Sequence, residues 1–509
     1  MNTQAARRGS PGRYHLSALL FAAASLNGML INGACASQPQ PTGAATLAYE
    51  GGQAESVRDH LSARQEERMW TEIQHNIAML RKNSLLPMSD TALTVTYHFP
   101  LRMAPGLPDH EGFRVSAFAD HNPAAGTTQV LDYSGGTRTY DSHRGTDFAL
   151  WPFGWNKVDG GEVQVIAAAA GTIAYKSETD PTDHNPCDGG SANDPWNFIG
   201  VVHGDGRLTI YGHMRYNSLT RKLVGDSVAQ GEYLGTAASS GNSSGPHLHF
   251  EARYGAYSNN EWVDPYAGPG SQPESLWASQ RPYVDAAINR LATHSSPAST
   301  ANSCASTITH LQDSFTTLQN IFFYAYFRDY QGALVAQLKL HRPDGSVHQS
   351  WQYSTATPYS SLWSSAWVVN LPVDSPAGTW RFEAIYNGQT YETFFNVDSP
   401  TTITLATPNG GEQWQRLQSH SVTWADNLGG EVNIDLYRDN LLVDRLASNR
   451  PSNGAFPWTP GAELISSPGY RVRVTSVTNP DIQDSSDTPF TLIDAPGLFD
   501  DGFESSNSP

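Results

Sequence analysis

The chain has 509 residues, of which 39% are hydrophobic and 16% are charged, and its formal net charge at pH 7 is −18. This length predicts about three or four domains, and the hydrophobic content excludes a generally disordered chain. The acidic balance argues against a nucleic-acid partner, because binding to phosphates requires clustered Lys and Arg. Sparse charge with abundant small polar residues favours a mainly β protein.

The first 36 residues have the composition of an export signal. Three arginines precede an apolar run, and small residues with the A-x-A cleavage spacing follow it. These features are Arg7, Arg8 and Arg13, the run 16–31, and the pair Ala34 and Ala36. We therefore assign residues 1–36 to a signal peptide and expect a secreted or periplasmic protein. The alternative is lipid attachment at Cys35, which fits less well because Asn32 stands where an aliphatic residue is expected.

Cleavage after residue 36 would leave two cysteines, Cys187 and Cys304. An even pair in an exported chain predicts a disulfide, with two unpaired thiols as the alternative. No later stretch is apolar for about 18 residues, so we do not expect the mature chain to span a membrane.

The segment 37–111 is predicted to be largely helical. Apolar residues recur at steps of three and four between about residues 55 and 82, and the segment 93–99 alternates like a strand. The repeating positions are Trp70, Ile73, Ile77 and Leu80. Two interpretations stay open, a pro-region that covers a cleft or an extension that packs on the following domain.

From residue 112 the pattern changes to short apolar strands separated by Gly, Asp and Asn, which predicts an antiparallel β-sheet domain over 112–293. We expect a helix near its end, at about 273–292. A Ser/Ala/Pro-rich linker at 294–306 then leads to two strand-rich stretches, 307–397 and 398–494, typical of Ig-like β-sandwiches. The tail 495–509 is acidic, which is typical of disorder.

Two histidines on one predicted strand indicate a metal site. His247 and His249 stand two residues apart, so both side chains leave the same face of a strand. His143 and Asp147, about a hundred residues earlier, complete a set from which a His/His/Asp zinc site can form while one imidazole stays outside the ligand set. Catalytic zinc usually has three protein ligands and an open position for water.

Four sequence blocks occur in a recognisable order. They are His143-Arg-Gly-Thr-Asp147, Ala168-Ala-Ala-Gly-Thr-Ile173, Tyr211-Gly-His213-Met214, and Gly241-Asn-Ser-Ser-Gly-Pro-His-Leu-His-Phe-Glu251. Over about 112–270 the chain therefore resembles the lysostaphin-type or LytM-type zinc endopeptidases of bacterial cell walls. The resemblance implies one Zn²⁺ per chain, held by His143, Asp147 and His249, with His213 and His247 as catalytic histidines.

Within that resemblance we assign His247 as general base and His213 as the group that stabilises the oxyanion, although the two roles are exchangeable on chain order alone. Asn242, Ser243 and Ser244 are candidate substrate-binding residues, and a polar surface turn is the equal alternative for each.

The expected substrate is bacterial peptidoglycan, at a stem peptide or a Gly-rich cross-bridge, and we expect a monomer. One alternative is a secreted protease of Gly-rich proteins such as elastin. Another is a non-catalytic wall-binding protein, which is disfavoured because every ligand and catalytic position of the family pattern is present.

Overall fold

The computed structural model describes residues 45–51, 63–86, 94–123, 129–183, 187, 196–253, 262–298, 308–398 and 401–494. The predicted signal peptide, Cys35, Cys304 and the tail lie outside these residues, so the export signal and the Cys187–Cys304 disulfide stay predictions. Neither helix of the described part is long and apolar enough to cross a membrane.

The mainly β fold class is confirmed. Helix α1 spans Ala63–Lys82 and α2 spans Gly154–Gly160. The strands up to residue 263 are β1 Thr46–Gly51, β2 Leu101–Met103, β3 Phe113–Ala117, β4 Thr146–Leu150, β5 Val163–Ile166, β6 Gly171–Ser177, β7 Phe198–His203, β8 Leu208–Gly212, β9 Ser227–Val228, β10 Tyr233–Thr236, β11 His247–Arg253 and β12 Trp262–Val263. The strand predicted over 93–99 is wrong in extent, because its described part contributes only an isolated bridge between Tyr97 and Trp277.

An eight-stranded sheet forms the centre of the first domain, in the order β3-β4-β11-β8-β7-β6-β9 with β12 beside β11. Alternation along β11 divides the two faces. Leu248 and Phe250 enter a core shared with Val163, Val165 and Leu234 of the three-stranded sheet β10-β5-β2. His247 and His249 therefore lie on the opposite face.

Helix α1 packs on that opposite face. Its residues Trp70, Ile73 and Ile77 share a core with Leu208 and Ile210 of β8, and the register sets Ile210 opposite Glu251 of β11. Burial of each large apolar side chain stabilises a fold by roughly 1.5–3 kcal/mol. Helix α1 is therefore packed on the histidine-bearing face of the sheet, and both interpretations of 37–111 stay open.

The helix predicted at 273–292 is wrong. Residues 273–286 form no helix, and Ala287–His294 form strand β13, which pairs antiparallel with β15 of the next domain. Pro282 lacks the N–H that a helix interior requires, and Ile288 and Leu291 gain full burial in the neighbouring core. The boundary predicted at residue 293 is accordingly too late, since β13 belongs to the first sandwich.

The remaining strands build two sandwiches. They are β14 Ser314–Thr316, β15 Asn320–Tyr330, β16 Ala336–His341, β17 Val347–Tyr353, β18 Ser360–Asn370, β19 Gly378–Tyr386, β20 Gln389–Asp398, β21 Ile403–Thr407, β22 Gln413–Gln415, β23 His420–Asp426, β24 Glu431–Arg438, β25 Leu441–Pro451, β26 Ala455–Trp458, β27 Ser467–Ser476, β28 Gln483–Ser485 and β29 Phe490–Ile493. In the first sandwich, sheet β1-β18-β15-β13 packs on β14-β20-β19-β16-β17. In the second, β21-β23-β26 packs on β22-β29-β27-β24-β25, with β28 beside β27.

The first sandwich contacts the sheet domain directly. Trp151 donates its indole N–H to the carbonyl of Phe327 at 3.0 Å, and Arg138 pairs with Asp329 at 2.7 Å. Strand β1, which comes from the predicted N-terminal segment, adds to the edge of the same sandwich. The sheet domain and the first sandwich are therefore in direct contact.

His294, at the end of β13, makes the stability of this unit depend on pH. Burial lowers its pKa from 6.5 to about 4, and its ring lies 2.6 Å from the carbonyl of Thr309 and 3.2 Å from the hydroxyl of Tyr326. In the unfolded chain the imidazole becomes protonated near pH 6.5, whereas in the folded chain it stays neutral down to about pH 4. The contribution of neutral His294 to the free energy of unfolding is therefore fully present above pH 6.5 and is lost as the pH drops towards 4.

We expect this histidine to account for about 2 to 3 kcal/mol of lost stability between pH 7.5 and 4.5. Urea unfolding of the wild type and of His294→Gln at both pH values measures it. The variant should lose less stability on acidification, and an equal loss in both proteins would contradict the assignment.

Candidate active site

Three buried side chains converge where β4, β11 and the loop before β4 meet. The antiparallel register places Asp147 of β4 directly opposite His249 of β11, and His143 enters from the loop. His143 Nε2 lies 3.1 Å from Asp147 Oδ1 and 3.4 Å from His249 Nδ1, and His249 Nδ1 lies 3.0 Å from Asp147 Oδ1. All three residues are at most 4% exposed.

Hydrogen bonds on the far side of each imidazole determine which atom faces the triangle. His143 donates Nδ1–H to the carbonyl of Phe118 at 2.7 Å, so its Nε2 carries a lone pair. His249 Nε2 lies 3.5 Å from Glu251, which favours the proton there and a lone pair on Nδ1. Asp147 Oδ2 accepts a hydrogen bond from Tyr140 at 3.0 Å, which leaves Oδ1 for the triangle. Three electron-pair donors thus face one point, an arrangement that a cation stabilises.

Gly145 permits the close approach of the loop to β11. A Cβ at this position would lie 2.7 Å from the His249 ring and 2.7 Å from the carbonyl of Phe250. Any larger residue would displace the ring that belongs to the triangle. The glycine is therefore required for space in the H-x-G-x-D segment.

Two further imidazoles stand beside the triangle. The ring centres of His213 and His247 are 4.4 Å apart, and His247 Nε2 lies 3.7 Å from Asp147 Oδ1. His213 directs Nδ1 at the carbonyl of Ser240, at 2.6 Å, and His247 directs Nδ1 at that of Gly245, at 2.8 Å. Each neutral imidazole therefore presents an Nε2 lone pair, which is the form of a base.

His213 also has an uncommon backbone. Its φ is +58°, in the left-handed region that residues other than glycine seldom adopt. The residue follows directly on the end of β8, and this conformation turns it out of the strand. Such strain occurs disproportionately at functional sites.

The turn before β11 supports His247. The hydroxyl of Ser243 donates to the carbonyl of Gly245 at 2.9 Å, and it lies 3.3 Å from His247 Nδ1. Ser243 is buried, Asn242 is half-buried and Ser244 is exposed. The hydroxyl of Ser243 is thus engaged within the turn, and substrate binding by these three residues stays a prediction.

A charged cluster borders the site. Arg253 lies 2.5 Å from Glu251 and stacks over the ring of Trp70, 4.0 Å from its centre. Glu66 of α1 forms an ion pair with Arg144 and lies 3.8 Å from Arg253. Burial acts to raise the pKa of Glu251, but Arg253, His249 and Arg144 outweigh it, so that this carboxyl has a pKa below its usual value.

The structure therefore brings all five predicted metal-binding and catalytic residues into one site. Sequence reasoning missed Tyr140, Glu66 and Trp196, whose ring centre lies 5.0 Å from that of His213 and 5.9 Å from that of His249. Tyr140 stacks on His143 with ring centres 4.2 Å apart.

A buried triangle of two imidazoles and a carboxylate, with two more imidazoles beside it, defines a candidate metallohydrolase centre. Residues 141–265 match the family model described as Peptidase family M23. Within its sheet domain the chain is therefore similar to the lysostaphin-type or LytM-type peptidases of that family.

Individual relatives are similar over limited segments. Mpg of Neisseria meningitidis, a DD-carboxypeptidase/endopeptidase, is 30% identical over 159 residues, which are 30% of this chain and 30% of its own length. ALE-1 of Staphylococcus capitis, a glycyl-glycine endopeptidase, is 39% identical over 85 residues, 16% of this chain and 23% of its own length. The chain thus spans less than a third of the length of these curated relatives. The lysostaphin catalytic domain from Staphylococcus simulans is 24% identical, with a TM-score of 0.19, over 31% of this chain and 89% of that domain.

Proposed function

We propose that this protein is a secreted zinc metalloendopeptidase that hydrolyses peptide bonds of bacterial peptidoglycan. The observation that carries the proposal is the triangle formed by His143 Nε2, Asp147 Oδ1 and His249 Nδ1, with edges of 3.0 to 3.4 Å. Zn–N and Zn–O bonds of about 2.0–2.1 Å at tetrahedral angles require ligand atoms about 3.3 Å apart. The three residues present therefore fit the ion.

Two imidazoles with one carboxylate favour zinc by ligand type. When bound, Zn²⁺ supplies Lewis-acid polarisation of the scissile carbonyl and lowers the pKa of coordinated water to near 7. Tyr140 holds the Asp147 carboxylate, and the Phe118 carbonyl holds the His143 ring, so both ligands are fixed before any ion arrives.

His247 and His213 move and hold protons in this proposal. One imidazole takes the proton of the attacking water at Nε2 and passes it to the leaving amine. The other is a hydrogen-bond donor at Nε2 only when it is protonated, since its Nδ1–H is committed to a backbone carbonyl. We assign His247 as the base because its Nε2 lies 3.7 Å from Asp147 Oδ1 of the triangle.

The substrate class is supported by the relatives. Mpg is named as a DD-carboxypeptidase/endopeptidase, and ALE-1 is named as a glycyl-glycine endopeptidase. Cleavage at a stem peptide or at a Gly-rich cross-bridge is thus the leading proposal, and export through residues 1–36 would bring the enzyme to the wall. Gly-rich extracellular protein is the second candidate substrate.

Mass spectrometry of fragments tests the proposal. Purified peptidoglycan, pentaglycine and soluble elastin are each incubated with the mature, zinc-loaded chain, with and without a zinc chelator. New amine termini that the chelator abolishes are expected from peptidoglycan or pentaglycine. Cleavage of elastin alone would transfer the proposal to the second substrate, and no cleavage of any of the three would contradict it.

A further inference from the structure

Two arginines flank the metal triangle on the side where α1 lies. A cavity of about 150 Å³ is lined by Arg144, Arg253, Glu66 and the triangle residues His143 and His249. Arg144 directly follows His143 in the chain, so its guanidinium extends from the loop that supplies a proposed ligand. Arg144 is about one-third exposed, and is therefore accessible from the cavity.

The charges in this cavity are balanced in pairs. Arg253, which is almost fully buried, is neutralised by Glu251 on its own strand, at 2.5 Å. Arg144 forms its ion pair with a residue of a different element, Glu66 in the first turn of α1. Removing Glu66 would leave one excess positive charge beside a proposed divalent cation, and that charge would favour any other carboxylate that reached it.

The Glu66–Arg144 pair is not what holds α1 in place. Met69, Trp70, Ile73, Ile77 and Leu80 are all buried against the sheet, whereas both members of the ion pair are partly exposed. Partly exposed ion pairs contribute little to stability compared with apolar packing. The pair thus requires an explanation other than anchoring the helix.

We infer that Arg144 is a binding site for a carboxylate of the substrate, next to the scissile bond, and that Glu66 occupies it as an internal stand-in. Guanidinium groups bind carboxylates through two parallel N–H bonds, which gives both strength and orientation. The inference rests on the proposed peptidase function and adds its substrate class, a peptide that bears a free carboxylate beside the bond to be cut. An incoming carboxylate would displace Glu66 from Arg144.

Binding of three peptides distinguishes the sources of such a carboxylate. They are pentaglycine as the free acid, pentaglycine amide, and pentaglycine amide with Glu at its central residue. Calorimetric titration uses the full mature chain, loaded with zinc and carrying His247→Ala so that cleavage is slow during the measurement. The free acid tests a terminal carboxylate, the Glu peptide tests a side-chain carboxylate, and the amide is the uncharged reference.

At least one charged peptide should bind about tenfold or more tightly than the amide, the usual value of a charged hydrogen-bonded pair. In an Arg144→Gln background the ratio of affinities for the charged peptide and the amide should fall to about one. Arg144→Lys should give an intermediate value, because it keeps the charge but loses the two parallel N–H donors of the guanidinium. Glu66→Gln should raise the affinity for charged peptides about two- to fivefold, because a competing ion pair is removed. Glu67→Gln, the same change at the adjacent exposed position, should have no effect.

Equal affinities for acid and amide, or no binding by any peptide, would overturn the site at Arg144. So would a Glu66→Gln protein that melts at a lower temperature with unchanged affinities, since Glu66 would then serve only the helix. If the protein cleaves peptides without a preference for a carboxylate, the site at Arg144 is wrong but the proposed peptidase function stands. If Arg144 gives a carboxylate preference but no substrate is cleaved, the carboxylate site stands and the proposed peptidase function is wrong.

Discussion

Asp147→Asn is expected to abolish zinc binding and to lower peptide hydrolysis by at least about 10³-fold, because a buried ion site loses its only anionic ligand. Asp147 Oδ1 is common to the 3.0 and 3.1 Å contacts of the triangle. Asparagine preserves the shape and can still accept the hydrogen bond from Tyr140, so the fold should survive. Metal content by plasma mass spectrometry after dialysis, together with the rate of pentaglycine cleavage, measures both effects.

Asp159→Asn provides the matched control, because it removes the same charge from an exposed position on α2 of the same domain. It should retain one zinc per chain and full activity. An Asp147→Asn protein that kept stoichiometric zinc would contradict the ligand set. An Asp147→Asn protein that lost zinc but kept its activity would instead contradict metal-dependent hydrolysis.

The proposed ligands and catalytic histidines were accessible from the sequence because their geometry is local. His247 and His249 share a face through the two-residue period of a strand, and short blocks with fixed spacing carry the remaining residues. Tyr140 and Glu66 were not accessible in this way. Glu66 reaches Arg144 across 78 residues through the packing of α1 on the sheet, and no local pattern encodes that contact.

The same distinction between local patterns and distant contacts explains which fold elements were predicted correctly. The strand-rich character of residues 112–293 and of the two following stretches was accessible from the sequence, because alternation and turn residues mark short strands. Strand β13 was mistaken for part of a helix because Ala287-Ile-Asn-Arg-Leu-Ala292 suits either structure by local propensity. Pairing with β15 decided the outcome, and the paired residues, from Ala287 with Arg328 to His294 with Phe322, lie far apart in the chain.

His247→Ala and His213→Ala are each expected to lower kcat by about 10²- to 10⁴-fold, the usual contribution of a positioned acid or base. Neither imidazole belongs to the triangle, so both variants should retain one zinc per chain. The two rings are 4.4 Å apart and serve one reaction, so the double variant should be little slower than the worse single one. His75→Ala, at an exposed position on α1, should match the wild type.

The pH profile of kcat/KM separates the two roles. A general base must be neutral, so its loss should flatten the acidic limb, whereas a hydrogen-bond donor to the oxyanion must be protonated, so its loss should flatten the alkaline limb. We expect the acidic limb to flatten in His247→Ala and the alkaline limb in His213→Ala. The reverse pattern would exchange the roles, and loss of zinc from either variant would show that its histidine is a ligand. Since both rings donate Nδ1–H to backbone carbonyls, their difference must come from which Nε2 faces the attacking water.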